Sequence, residues 1–235
     1  MSTVGRHHLN DRAFVNDADV VILRNHDTSL TPTEKHTLLV LNVTFGGLLL
    51  LSDELQRYDQ SARETLRSLF PMPARNAKKV VHEHPRVDVH LDSAGRSYRV
   101  LANLGVRRES FDLGNDLCFE KTRGLFRGRV ELAQHESAIV HVLEPLTGVA
   151  LAATGHLFPC SDVDVRADAS GVHVTLRAGA RAAGLLVVAP IGTREIVVNG
   201  KRHAAIDDAA LGIAHATIAV MAVALAPQES TGHYT

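Results

Sequence analysis

The chain has 235 residues, of which 45% are hydrophobic and 22% are charged, and its formal net charge at pH 7 is −1. This composition provides enough apolar material for a folded core and excludes a chain that is disordered by composition. Basic residues cluster at most in pairs, so the charge pattern of a nucleic-acid-binding protein is missing. We therefore expect no nucleic-acid partner.

The amino-terminal segment MSTVGRHHLNDR contains no apolar stretch of the kind found in signal peptides. The longest apolar stretches, such as residues 216–226, are too short to span a membrane. We therefore expect a cytoplasmic protein with no membrane partner. The two cysteines, Cys118 and Cys160, are too few for a disulfide framework and form no Cys-x-x-Cys pair, so we interpret them as buried thiols.

The first part of the chain predicts a strand followed by a helix. VVIL at 20–23 is a short apolar run typical of a buried strand. After a polar loop, Thr31, Pro32 and Glu34 have the spacing of a capping box with proline at the first helical position. This pattern predicts that a helix begins at residue 32.

The predicted helix has one apolar face. Leu38, Leu41 and Phe45 recur at helical spacing, with Leu39 and Val43 beside them, before two consecutive glycines end the pattern. We expect this face to be buried.

A second strand and helix follow. LLLL at 48–51 predicts a fully buried strand, parallel to the first, and SDELQRYDQSARETLRSLF predicts another helix with Ser52 and Asp53 at its N-cap. Two such units cannot form a closed layer, because parallel strands are normally buried on both faces and a complete (β/α) barrel takes roughly 250 residues.

From about residue 80 the helical period disappears. Short runs rich in Val, Leu and Thr are separated by turn signals, of which Asn199-Gly200 is the clearest. Strands spaced roughly 8 to 12 residues apart are typical of an antiparallel sandwich. We predict an α/β plus all-β fold, in which a partial (β/α) barrel end of two βα units precedes an antiparallel β-sandwich.

Two motifs in the first 70 residues occur in a characteristic order, FVNDADVVILR at 14–24 and GGLLLLSDEL at 46–55. They resemble the seventh and eighth strands of the catalytic barrel in the α-galactosidase (melibiase) clan of glycoside hydrolases, with Ala18 where that clan usually has proline. A C-terminal β-sandwich follows the barrel in that clan. The resemblance implies that residues 1–75 are the C-terminal part of a (β/α)8 glycosidase barrel and that residues 76–235 are the sandwich domain.

The resemblance also implies substrate-binding residues. It places Asp19 and Val20 at the mouth of the barrel beside the sugar, where ligand-contacting residues of such barrels belong, with Asp17 in the same segment. The alternative is that Asp17 and Asp19 stabilise an Asx-type turn by hydrogen bonds to the backbone and contact no ligand.

The resemblance implies that the catalytic residues lie outside this chain. Retaining glycosidases need two carboxyl groups about 5 to 5.5 Å apart, and in this clan both are aspartates of the fourth and sixth barrel strands. We therefore predict the C-terminal fragment or subunit of an α-galactosidase-like enzyme of carbohydrate metabolism, inactive alone and carrying no catalytic residue. It would be either a truncated remnant or one chain of a split enzyme.

Other kinds of site are not favoured. His-Glu-x-x-His spacing is missing despite HEH at 82–84 and HH at 7–8, so we expect no metal site, and we expect no cofactor because the phosphate-loop spacing is missing as well. The rival interpretation is a non-catalytic carbohydrate-binding or structural β-sandwich protein, although aromatic residues are only 4% of the chain. Expected partners are a carbohydrate ligand and a complementary barrel chain or a second copy, because the two strands would have open apolar edges.

Overall fold

The computed structural model describes residue 4 and residues 17–46, 48–72, 74–145, 148–153, 155–177 and 183–220. Two α-helices lie wholly within these ranges, α1 (Pro32–Phe45) and α2 (Gln60–Arg67), and a short 3-10 helix covers Leu55–Arg57. Neither helix within these ranges is long and apolar enough to cross a membrane. The strands are β1 (Asp17–Val21), β2 (Leu48–Leu51), β3 (Arg75–Glu83), β4 (Arg86–Ser93), β5 (Arg96–Asn103), β6 (Glu109–Asp112), β7 (Cys118–Glu120), β8 (Gly124–Phe126), β9 (Arg129–Leu132), β10 (Ser137–Val142), β11 (Ala150–Ala153), β12 (Val163–Asp168), β13 (Gly171–Leu176), β14 (Ala183–Pro190), β15 (Glu195–Val198), β16 (Lys201–Ala204), β17 (Ile206–Asp208) and β18 (Ile213–Val220).

Strands β1 and β2 form a parallel pair connected by α1. Val20 pairs with Leu50 and Val21 with Leu51. Parallel neighbours need a crossover connection, which the helix provides. The predicted strand–helix–strand unit is therefore confirmed.

Helix α1 begins as its capping box predicts. The Thr31 hydroxyl accepts a hydrogen bond from the Glu34 amide at 3.2 Å, and the Glu34 carboxylate accepts one from the Thr31 amide at 2.8 Å. These bonds satisfy two backbone donors that the first helical turn would otherwise leave open. Pro32 occupies the first turn without losing a hydrogen bond.

The buried face of α1 differs from the predicted one. Leu39 and Val40 are fully buried, whereas Leu38 and Leu41 are only partly buried. The reason is that α1 contacts β1 on one side and β5 and β10 of the neighbouring antiparallel sheet on another. A helix covered on two sides has no single apolar stripe.

The second helix starts later than predicted. Asp59, not Ser52 or Asp53, is the N-cap of α2, and its carboxylate accepts a hydrogen bond from the Ala62 amide at 2.8 Å. The segment between β2 and α2 includes the short 3-10 helix Leu55–Arg57. The predicted N-cap role of Ser52 and Asp53 is wrong, and Asp53 has a different function in the fold.

The middle of the chain forms a six-stranded antiparallel sheet in the order β3-β4-β5-β10-β7-β8. Along each strand, successive side chains point to opposite faces of this sheet, and both faces carry buried apolar residues. One face contacts the βα unit, and the core there includes Leu39, Val43, Val87, Val89, Val100 and Ile139. The other face packs against the two-stranded sheet β6-β9 through Leu101, Phe111, Val130, Leu132 and Val140.

The last part of the chain forms two four-stranded sheets, in the orders β11-β14-β18-β17 and β12-β13-β15-β16. Side chains from both sheets share one core that includes Leu151, Val163, Val174, Leu185, Val187 and Ile196. The pairing is antiparallel except between β13 and β15, where Val172 pairs with Val198 in a parallel bridge. The predicted α/β plus all-β fold class is confirmed, and residues 221–235 of the predicted sandwich domain lie outside the described residues.

One hydrophobic core crosses the predicted domain boundary at residues 75 and 76. Leu49 and Leu51 of β2 pack against the same core as Val89 of β4. Leu50 points the other way and is 43% exposed. The six-stranded sheet therefore covers part of the apolar surface that the sequence predicted to be left open, and the division into residues 1–75 and 76–235 stays a prediction.

Candidate functional site at the carboxyl ends of the parallel strands

Polar side chains follow both parallel strands at the same edge of the pair. Arg24 and Asn25 come shortly after β1, and Ser52 and Asp53 come directly after β2. Because the carboxyl ends of parallel strands meet at one edge, these residues lie close together. Ligand-binding residues of α/β proteins are usually found at this edge, so it is the first place to look for a site.

Asp53 is the centre of this cluster. Its carboxylate accepts hydrogen bonds from the backbone amides of Leu23 at 2.6 Å and Arg24 at 3.0 Å, and from the Tyr58 hydroxyl at 2.8 Å. The Arg24 guanidinium donates a further hydrogen bond to it at 2.5 Å. The Asp53 side chain is fully buried, whereas that of Arg24 is 24% exposed. Asp53 therefore connects the loop after β1 to the loop after β2.

The cluster continues to the starts of both helices. The Lys35 ammonium of α1 donates hydrogen bonds to the Arg24 carbonyl at 3.0 Å and to the Asn25 side-chain oxygen at 2.6 Å. The Asn25 amide in turn donates to the carboxylate of Asp59, the N-cap of α2, at 2.6 Å. We call Arg24, Asn25, Lys35, Asp53, Tyr58 and Asp59 the carboxyl-end network.

The ionisation of Asp53 follows from these contacts. Burial by itself would raise the pKa of its carboxyl group, but the hydrogen bonds from Leu23, Tyr58 and Arg24 outweigh burial and lower the pKa below its ordinary value. Burial, followed by the hydrogen bond to Asp53, raises the pKa of the Tyr58 hydroxyl. Asp53 is therefore a carboxylate and Tyr58 a neutral phenol at neutral pH.

This arrangement stabilises structure and is poorly suited to acid–base chemistry. A general acid or base needs a pKa near the working pH and access to the substrate. Asp53 has a lowered pKa and no exposed surface, and Asp59 is used as a helix cap. The cavity beside the network, between α1 and α2, is only about 120 Å³, below the roughly 300 Å³ at which ligand pockets usually begin.

The predicted substrate-binding residues lie in β1 itself. Asp17 opens the strand opposite Leu48, and the register shifts between Asp17 and Val20 at a bulge. Val20 is partly buried, and the side chains of Asp17 and Asp19 lie outside the described part of the chain. The role of Asp17, Asp19 and Val20 in sugar binding stays a prediction.

The sequence analysis missed the residues that do come together. Arg24 and Asp53 are 29 residues apart in sequence, and no local pattern links them. One feature of the sequence could have indicated this role. Asp53 follows a predicted buried strand, and this position is typical of a strand-end residue as well as of a helix cap.

The cysteines are buried, as predicted, and both are free thiols. Burial raises the pKa of Cys118 to about 11 and that of Cys160 to about 12. Both therefore stay protonated at neutral pH and are poor nucleophiles. Within the described ranges, no three His, Cys, Asp or Glu side chains are grouped so that they could hold a metal ion, and residues 7–8 lie outside those ranges.

Comparison with known proteins finds matches only among solved structures. No protein-family model matches the chain, and no curated protein matches it. A GH27 β-L-arabinopyranosidase from Geobacillus stearothermophilus is 19% identical, with a TM-score of 0.49, over 62% of this chain and 40% of that one. The α-galactosidase I of Mortierella vinacea is 11% identical, with a TM-score of 0.44, over 60% of this chain and 43% of that one.

The chain thus spans less than half the length of either enzyme. Over that part it is similar in structure to these two glycoside hydrolases.

Proposed function

We propose that this chain is the C-terminal part of an α-galactosidase-like glycoside hydrolase. In this proposal the chain is a fragment or subunit that completes a catalytic barrel whose other six βα units lie outside it, and it has no glycosidase activity alone. The complete enzyme would hydrolyse α-linked galactosides in cytoplasmic carbohydrate metabolism. Asp19 and Val20 would contact the sugar at the barrel mouth, with Asp17 beside them.

The observation that carries the proposal is the incomplete parallel sheet. Strands β1 and β2 pair only with each other among the described residues, so each has one edge without a strand partner. Isolated two-stranded sheets are marginal in water, and parallel strands occur almost only in sheets that are covered on both faces. A neighbouring strand on each edge would convert the pair into a segment of a barrel.

The chemistry of the carboxyl-end network supports the same proposal. In a retaining glycosidase, one carboxyl group attacks the sugar and the other donates a proton to the leaving group. Asp53 and Asp59 are both committed to structural hydrogen bonds. The network is suited to fixing the last two strand ends of a barrel, while the reacting carboxylates would come from the other strands.

The partner of the incomplete sheet would be a complementary barrel segment, or a second copy of this chain where that segment is missing. Leu50 provides exposed apolar surface beside the open edge of β2. Neither described edge is protected by proline or lysine within the strand, which are residues that commonly prevent edge-to-edge association.

The rival proposal, a carbohydrate-binding sandwich that never joins a barrel, has less support. Such modules commonly bind sugars on exposed aromatic rings, because an apolar ring face packs well against a sugar face. Phe70 is the one aromatic side chain among the described residues that is more than a third exposed. It follows α2 and lies outside both four-stranded sheets.

A complementation assay tests the proposal. The chain would be purified alone and after co-expression with a second chain that carries the first six βα units of an α-galactosidase-like barrel, and each sample assayed on an aryl α-galactoside. We expect turnover only from the co-expressed pair, and we expect Asp19→Asn to weaken it. Turnover by the chain alone, removed by Asp19→Asn, would contradict the proposal, as would a failure of the two chains to associate.

A further inference from the structure

The turn between β15 and β16 contains the one Asn-Gly sequence of the chain, Asn199-Gly200. It is a two-residue turn, because Val198 pairs with Lys201 across it. Both turn residues have positive φ, 48° at Asn199 and 75° at Gly200, as the I′ class of hairpin turn requires. Both are exposed, so water reaches the side chain and the peptide bond of this turn.

The Asn199 side chain joins this hairpin to the hairpin β12-β13. Its amide donates a hydrogen bond to the Val174 carbonyl at 2.9 Å, and its oxygen accepts one from the Val174 amide at 2.7 Å. Among the described residues, one backbone bridge connects β13 and β15, between Val172 and Val198. The Asn199 carboxamide therefore provides much of the pairing between these two strands.

The two hairpins also pack closely beside the turn. A Cβ atom at Gly171 would lie 2.6 Å from the Val197 carbonyl oxygen and 2.8 Å from the Val197 Cβ atom. Any side chain there would push β13 away from β15. Val172, Val174 and Val198 are each at most 6% exposed and belong to the core that both four-stranded sheets share. The contact between β13 and β15 therefore holds part of that core together.

An Asn-Gly pair is chemically reactive because glycine has no side chain to shield its backbone nitrogen. The Gly200 nitrogen attacks the Asn199 Cγ atom and closes a succinimide ring, and the Asn199 amide nitrogen leaves as ammonia with the Gly200 proton. Water then adds to one ring carbonyl and breaks its bond to nitrogen. The product is aspartate or isoaspartate at position 199, and the net reaction consumes water and releases ammonia.

The fold restrains this reaction. Val174 holds the carboxamide at both its nitrogen and its oxygen, so the group is not free to turn toward the Gly200 nitrogen. Local opening of the contact between β13 and β15 releases it, and native proteins open locally in this way.

The product no longer fits the closed sheet. A carboxylate at position 199 accepts hydrogen bonds but donates none, so the Val174 carbonyl loses its donor and faces another acceptor. Isoaspartate also adds a carbon atom to the main chain of the turn. Both products therefore disfavour closing of β13 against β15.

We propose that Asn199 is a deamidation site gated by the contact between β13 and β15, and that its conversion to aspartate or isoaspartate keeps these strands apart. The reaction needs only water. It marks chains in which the sheet β12-β13-β15-β16 has opened, and it loosens the core that the two four-stranded sheets share. The site lies outside the βα unit, so it does not depend on completion of the barrel.

The first test compares deamidation of the purified full chain in native buffer and in urea. Trypsin cleaves after Arg194 and Lys201 and releases residues 195–201 as one peptide, whose asparagine, aspartate and isoaspartate forms are separated by chromatography and mass spectrometry. We expect the unfolded chain to deamidate at least about tenfold faster, because unfolding breaks both hydrogen bonds to Val174. Equal rates, or no deamidation of the unfolded chain, would overturn the proposal.

The variant Gly171→Ala tests the gate without changing the Asn-Gly sequence. Its added Cβ atom separates β13 from β15, so the folded variant should deamidate about tenfold faster than the folded wild type. The matched control is Gly95→Ala in the β4–β5 hairpin, where φ is also positive and an added Cβ atom meets nothing within 4 Å. The control should keep the wild-type rate, and an unchanged rate in folded Gly171→Ala would contradict the gating.

The variant Asn199→Asp reproduces one product and tests its effect on the sheet. Amide hydrogen exchange in β13 and β15 should accelerate about tenfold. Asn115→Asp is the control, because it adds the same charge at an exposed asparagine whose side chain has no hydrogen bond within the described ranges. Exchange in Asn199→Asp as slow as in the wild type would refute the second part of the proposal.

If Gly171→Ala fails to fold, the wild-type rates and Asn199→Asp still decide. These experiments use neither a sugar nor a barrel partner, so their results are separate from the complementation assay.

Discussion

The βα unit and the pair of four-stranded sheets are stabilised in different ways. The two four-stranded sheets face each other and share a core formed by their own side chains. The βα unit has only two strands, and its buried leucines and valines share a core with the six-stranded sheet. Its loops are joined by the carboxyl-end network, in which one buried carboxylate accepts four hydrogen bonds.

This difference shows how an incomplete layer can remain ordered. A two-stranded parallel sheet buries too little apolar surface to be stable alone, so it depends on a neighbouring sheet and on polar contacts at its strand ends. The four-stranded pair has a core of its own, and one of its sheets also packs against Phe119 of the six-stranded sheet through Ala152 and Val188. We therefore expect polar substitutions to affect the βα unit most strongly and cavity-forming substitutions to affect the four-stranded pair.

The largest expected effect is that of Asp53→Ala. This change leaves the Arg24 guanidinium and the amides of Leu23 and Arg24 without their acceptor, and removing one partner of a buried ion pair typically costs about 3 to 5 kcal/mol. The free energy of unfolding of the βα unit should fall by about this amount. Denaturant unfolding followed by hydrogen exchange in residues 17–72 measures it.

The control for Asp53→Ala is Glu54→Ala, at the next residue. The Glu54 side chain is 70% exposed and its nearest ion-pair contact, to Arg57, is 4.0 Å long, so its removal should have little effect. Equal destabilisation by the two variants would show that the carboxyl-end network does not stabilise the unit.

Leu185→Ala should destabilise the four-stranded pair while sparing the βα unit. Leu185 is 1% exposed in the core shared by the two sheets, and a Leu→Ala change in such a core costs about 3 kcal/mol. Hydrogen exchange should accelerate in β11 to β18 and remain unchanged in residues 17–72. Acceleration throughout the chain would mean that the two regions unfold as one.

The pH dependence of stability should depend on His141, which lies on β10 of the six-stranded sheet and is 3% exposed. Its folded-state pKa of about 3 is below its unfolded value of about 6.5. Its neutral form therefore contributes stability that is present above pH 6.5 and is lost as the pH falls toward 3, at roughly 1 kcal/mol per pH unit.

His141→Phe should accordingly flatten the loss of stability between about pH 6 and pH 4. Urea unfolding at several pH values measures the slope, and His203→Phe is the control. Identical slopes for the wild type and His141→Phe would contradict the prediction.

The smallest expected effect is that of Thr31→Ala in α1. Loss of an N-cap side chain costs about 1 kcal/mol, and here it also releases Glu34, which pairs with His135 at 2.9 Å. Thermal unfolding of Thr31→Ala and of Thr31→Ser, which keeps the hydroxyl, measures the cost. Serine should restore most of the lost stability, and no difference between the two variants would show that the cap is unimportant.

The sequence predicted the features of the fold that depend on local patterns. The capping box at Thr31 and Glu34 located α1, and the change from helical to alternating period located the start of the antiparallel sheets. The sequence did not predict the features that depend on contacts between residues far apart in the chain. The buried face of α1 is set by β5 and β10, which lie far along the chain, and local periodicity contains no information about them.

The candidate site was less predictable for the same reason. Arg24 and Asp53 meet only because β1 and β2 are parallel neighbours. In the sequence they belong to two separate loops, and no local pattern predicts their contact.

Hydrogen exchange in β1 and β2 tests the incomplete-barrel interpretation most directly. It would be measured on the purified chain alone and after assembly with a second chain that carries the other six βα units of such a barrel, with β14 as an internal reference because it is paired on both sides. We predict that outward-facing amides of β1 and β2 exchange much faster than those of β14 in the chain alone and become protected on assembly. Slow exchange equal to that of β14 in the chain alone, unchanged by the second chain, would contradict the interpretation.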